Sequence, residues 1–114
     1  MHIKATIQRY RRILAAASTW VGIKQIIGDT KKQYPPELVR ACKRVKSIAP
    51  NALVKMQKNG VQLAIPKTNE DPDGEEAAAA FMMNKGKLVY EGVAASDEKI
   101  NGTTFVVHMM ISQY

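Results

Sequence analysis

Asn69, Asp71, Asp73 and Gly74 fall at the spacing that opens a calcium-binding loop, in which side-chain oxygens at alternate positions surround the ion. The twelfth position of such a loop needs a bidentate glutamate and is here Ala80, so the segment reads as a solvated acidic loop. His2, His108 and Cys42 are the only imidazoles and thiol, too few for a zinc cluster within one chain. His108 stands between Val107 and Met109, where a hydrogen-bonded histidine is expected before a general base. Gly28-Asp29-Thr30-Lys31-Lys32 sets glycine beside lysine but lacks the spacing with which a P-loop wraps phosphates. Neither a catalytic site nor a metal or other cofactor is expected.

Positive charge is the chemistry that remains. Arg40, Lys43 and Arg44 recur at three- and four-residue steps, so on a helix they form one stripe able to neutralise phosphates. Lys31 and Lys32 lie just before it, and Arg9, Arg11 and Arg12 extend the surface if the first helix packs alongside. Thirteen of the seventeen Lys and Arg residues fall in the first sixty positions against two acids, Asp29 and Glu37, giving that part +11. Residues 61–114 carry four bases and eight acids, or −4, and the whole chain is +7. Solvated helices ordinarily mix glutamate with lysine, so this asymmetry points to an anionic partner.

The leading expectation is a small non-enzymatic binding protein whose basic helical face engages nucleic acid through phosphate contacts, with Tyr34 available for base stacking. The alternative is a structural or regulatory subunit of a protein assembly, touching acidic protein surfaces or neighbouring copies in a homo-oligomer. On the first reading Arg40→Ala with Arg44→Ala weakens binding and leaves the fold intact.

The elements that must position these residues follow from periodicity. Ile3, Ile7, Tyr10, Leu14, Ala17 and Val21 alternate four- and three-residue steps, predicting a helix over 3–27 that bends near Gly22 and stops at Gly28. Tyr34-Pro35-Pro36-Glu37 opens a second helix, because the first turn has no use for a proline N–H. Leu38, Ala41, Cys42, Val45, Ile48 and Ala49 form its apolar face, and Pro50 ends it. Residues 51–66 then alternate, and Asn59-Gly60 predicts a type I′ hairpin pairing Met56 with Leu63 and Val54 with Ile65. The alanines after Gly74 predict a short third helix within 74–84, capped by Asp73 and Glu76, with a strand over 77–83 as the competing reading. Leu88–Ala94 and Thr103–Ser112 read as strands joined by 96–101, the second of them central.

The sum is an α+β fold, two amino-terminal helices packed on a largely antiparallel sheet. A length of 114 residues with 46% hydrophobic content suits one compact domain over 1–114, helical and basic to residue 50 and mainly β beyond, with the acidic loop at 67–76. No apolar run reaches the ~20 residues that span a bilayer, and the lone cysteine suits the cytoplasm. Residues 1–28 carry five bases and no acid, a composition shared with organellar transit peptides, so targeting by this segment is the alternative to its packing within the domain.

Overall fold

The computed structural model describes residues 19–113 and has the α+β class predicted. In chain order the elements are β1 (Val21–Gly22), α1 (Ile23–Ile27), α2 (Pro36–Lys46), β2 (Leu53–Gln57), β3 (Gly60–Pro66), α3 (Glu75–Met82), β4 (Met83–Asn84), β5 (Lys87–Leu88), β6 (Tyr90–Ile100) and β7 (Thr103–Ser112). An antiparallel sheet runs β1-β2-β3-β7-β6, and β4 pairs with β5 in a separate ribbon. Among the described residues no helix is long and apolar enough to cross a membrane.

The helix expected over 3–27 is interrupted at Val21–Gly22. Val21 and Gly22 are strand, paired with Val54 and Leu53, and helix begins only at Ile23. The seam from Ile3 to Ala17 lies outside the described residues. Trp20 packs against the sheet, and the Lys55 ammonium stands 5.0 Å from its ring centroid, a cation–π contact. Gly28 does close α1, its N–H reaching the Lys24 carbonyl at 2.9 Å.

α2 starts at Pro36 as predicted and buries Leu38, Ala41, Cys42 and Val45. Ile48 leaves the expected apolar face because the helix ends at Lys46, and it is exposed. These side chains meet Ile23 and Ile26 of α1, Val54, Val61, Leu63 and Ile65 of the sheet, and Ala77, Ala78 and Phe81 of α3 in the main core. Complete burial of a Leu, Ile or Phe contributes roughly 1.5–3 kcal/mol. Phe81 and Tyr90 add a tilted ring pair with centroids 4.8 Å apart. A smaller cluster of Ala64, Ile100, Phe105 and Val107 forms around Trp20 and Leu53.

Burial pushes the Cys42 thiol from its ordinary 9.0 up to about 12. Unfolding restores the lower value, so above pH 9 the unfolded chain releases the proton first and stability falls as pH rises, by about 1.4 kcal/mol per unit until the folded thiol ionises. Urea unfolding at pH 8 and pH 10 should therefore show the native chain losing about 1.4 kcal/mol more than Cys42→Ala. Equal pH dependence in the two proteins would contradict this.

The β2–β3 hairpin forms two residues away from its predicted register. Met56 pairs with Val61 and Val54 with Leu63, so the turn is Lys58-Asn59 and Gly60 already belongs to β3. A two-residue slip preserves the buried face, and Val54, Val61 and Leu63 are all in the core. Gly60 answers a different need. A Cβ there would lie 1.9 Å from the Met110 carbonyl oxygen, so glycine permits β7 to approach. The type I′ geometry appears at Asn101-Gly102, where φ is 52° and 84°. That turn joins β6 to β7 directly, so the expected connection over 96–101 is strand as far as Ile100. β7 spans the predicted residues and lies inside the sheet, between β3 and β6.

Residues 75–82 are helix, not strand, with Ala77, Ala78 and Phe81 buried at helical spacing. Its cap differs from the predicted pair of Asp73 and Glu76. The Asp71 carboxylate accepts the N–H groups of Glu75 and Glu76 at 3.1 and 3.2 Å, and Thr68 Oγ1 accepts that of Asp71. Gly74 takes a left-handed φ of 63° against Ile65. The helix gives way to a reversal at Lys85-Gly86, with φ of 52° and 79°, that pairs β4 with β5.

β6 is the sheet's long edge. Residues 91–99 are all exposed, the ladder is broken by a bulge between Gly92 and Ala94, and Asp97 pairs with Lys67. Bulges and edge charges of this kind obstruct casual strand pairing.

Candidate anion-binding cleft

Lys32, Arg40 and Lys43 meet at one cleft of about 530 Å³ between the 28–34 loop and α2, with Ile27, Asp29, Tyr34, Pro36 and Val39 completing its lining. Local chemistry builds the loop side. Asp29 accepts the backbone N–H of Lys31 at 3.2 Å and of Gln33 at 2.8 Å, closing the chain on itself, and Lys32 between them takes a left-handed φ of 53°. Helical spacing builds the other side, since Val39, Arg40 and Lys43 fall on one face of α2.

Tyr34 is half-buried, lining the cleft and packing against the main core. Burial raises its phenol above the ordinary value, with the negative charge of Asp29 adding to the effect, so the ring remains a neutral stacking and hydrogen-bonding group. Lys43 is exposed, and Arg40 keeps 56% of its side chain exposed.

The stripe read from the sequence divides here. Arg44 turns inward: its Nε donates to the Ala80 carbonyl at 2.8 Å and its Nη2 to the Phe81 carbonyl at 2.9 Å. Both acceptors belong to the last turn of α3, whose carbonyls have no intrahelical partner, so Arg44 caps that helix and meets its dipole. Glu37, only 8% exposed, accepts Arg40 Nε and Nη2 at 3.1 and 3.0 Å and contacts the Arg44 guanidinium at 3.5 Å. The double substitution of Arg40 and Arg44 is therefore unsuited to separating binding from folding, contrary to the sequence expectation.

Lys31 is exposed beside the cleft but does not line it. Arg9, Arg11 and Arg12 lie outside the described residues. The buried role of Glu37 was not anticipated, although its three- and seven-residue spacing to Arg40 and Arg44 was a legible signal. His108 is held by a hydrogen bond, its Nε2 donating to the Asp73 carbonyl at 2.8 Å and tying the acidic loop to β7. No family model, curated protein or solved structure matches the chain.

Proposed function

We propose that this is a small non-enzymatic binding protein of the cytoplasm, whose basic helical face engages nucleic acid through phosphate contacts. The observation that carries the reading is the convergence of Lys32, Arg40 and Lys43 on one cleft whose lining carboxylate, Asp29, is already occupied by two backbone donors. Three cations around a concave surface displace counterions when phosphate enters, and guanidinium and ammonium groups position a phosphate without reading sequence.

Titration of labelled nucleic acid followed by fluorescence anisotropy tests this. Binding at about 50 mM salt should weaken linearly in a log–log plot as salt rises, and Lys32→Ala and Lys43→Ala should each shallow the slope by about one phosphate contact across unrelated sequences. Among the described residues neither lysine makes an ion pair, so circular dichroism should be unchanged. Absence of binding at low salt would sink the proposal.

The subunit reading retains one supporting observation: among the described residues no strand pairs with the outer edge of β6, and Val93, Met109 and Ile111 are exposed nearby. Light scattering on the same samples separates the two, because an assembly subunit forms a defined oligomer without nucleic acid.

A further inference from the structure

The cleft holding Lys32, Arg40 and Lys43 does not stand alone. A second depression of about 750 Å³ shares Pro36 and Arg40 with it and continues past the start of α2 to the β2–β3 turn, where Lys58 is exposed. Its walls are mainly apolar, including Met56, Val61, Tyr90 and Ile111, and among the described residues its one carboxylate, Glu37, is paired with Arg40. The surface thus presents cations at Lys43, Lys32, Arg40 and Lys58 along two adjoining hollows, with an aromatic ring, Tyr34, in the first.

We propose that the two hollows form one groove for a single, unpaired nucleic-acid strand, with a base against Tyr34 and successive phosphates on Lys43, Arg40 and Lys58. This rests on the nucleic-acid reading above and narrows it to a strand state. Three arguments favour a single strand. In a duplex the bases are paired and stacked in the interior, so none reaches Tyr34 without unpairing and leaving the stack. An unpaired base has an open π-face, and apolar walls alternating with cations are the arrangement that holds bases and backbone together without sequence readout. Continuity of the groove past Arg40 exceeds what a lone nucleotide needs.

The closing experiment compares three probes on the whole chain: a fluorescein-labelled oligothymidylate about fifteen nucleotides long, the same strand annealed to its complement, and thymidine monophosphate as competitor. The single strand should bind at least about tenfold more tightly than the duplex at equal salt. Tyr34→Leu should weaken single-strand binding about tenfold with the salt slope unchanged, and Tyr34→Phe should restore it; because the ring also packs against the core, an unchanged urea midpoint in Tyr34→Leu separates lost stacking from lost packing. Lys58→Ala, at the far end of the groove, should shallow the slope for the oligonucleotide. Duplex binding equal to or tighter than single-strand binding, with Tyr34→Leu silent, would overturn the strand assignment and leave the broader nucleic-acid reading standing. Monophosphate competing as well as the oligonucleotide would likewise overturn it, in favour of a nucleotide pocket. Failure of every probe to bind at low salt would remove both.

Discussion

Arg44→Ala should destabilise the protein by roughly 2–4 kcal/mol in urea unfolding, whereas Arg40→Ala, on the same helix and sharing the same carboxylate, should cost about 1 kcal/mol or less. The difference lies in what each guanidinium leaves behind. Arg40 is more than half exposed, and its two hydrogen bonds go to a single carboxylate that keeps the Arg44 guanidinium at 3.5 Å. Arg44 is 21% exposed, and its loss strands the carbonyls of Ala80 and Phe81 in the last turn of α3 and removes one of the guanidinium groups beside buried Glu37. Arg44→Lys should recover only part of the loss, because one ammonium on a flexible stem cannot reproduce a planar fork reaching two carbonyls and a carboxylate. Amide exchange at the carboxyl end of α3 should accelerate in Arg44→Ala beyond the global change. Equal stability of the two alanine variants would show that the contacts across to α3 contribute nothing.

Gly60→Ala should be at least as damaging, about 3 kcal/mol or more, and should lower expression of folded protein. The added methyl would stand 1.9 Å from the Met110 carbonyl oxygen, 2.9 Å from its carbon and 3.0 Å from the Ile111 Cα. All three are backbone atoms of the neighbouring strand, so no side-chain rotation relieves the overlap, and β3 and β7 must separate where they bury Val61 and Met110. Gly22→Ala is the control: among the described residues nothing lies within 4 Å of its Cβ position and its φ is −67°, so the change should be neutral or stabilising by a few tenths of a kcal/mol. Comparable midpoints for the two variants would refute the close-approach account of Gly60.

These two residues also show where the sequence stopped being readable. Periodicity located α2, the β2–β3 hairpin and β7, because each spacing has a direct counterpart in which side chains are buried. The two Asn-Gly pairs were not equivalent, and nothing local distinguishes them. Asn101-Gly102 makes the positive-φ turn, whereas Asn59-Gly60 is displaced because Gly60 is required against a strand fifty residues later. Arg44 resembled Arg40 and Lys43 for the same reason: its principal acceptors are backbone carbonyls 36 and 37 residues away, and a carbonyl leaves no mark in residue type. Lys32, Arg40, Lys43 and Tyr34 were each nameable beforehand, but their convergence depends on the left-handed turn at Lys32, a position with no glycine to announce it.

The exposed run of β6 has a consequence for how the molecule comes apart. Its side chains from 91 to 99 contribute almost nothing to the core, so among the described residues it is retained by ladder bonds to β7, the exposed Lys67–Asp97 pair, the contact of Gly92 with Met82 and the ends at Tyr90 and Ile100. Detaching that stretch would leave the contacts of α2 and α3 with β3 intact. The protein thus carries a strand whose release is nearly uncoupled from global unfolding, a built-in latch on the sheet that thermal fluctuation can lift while the rest remains folded.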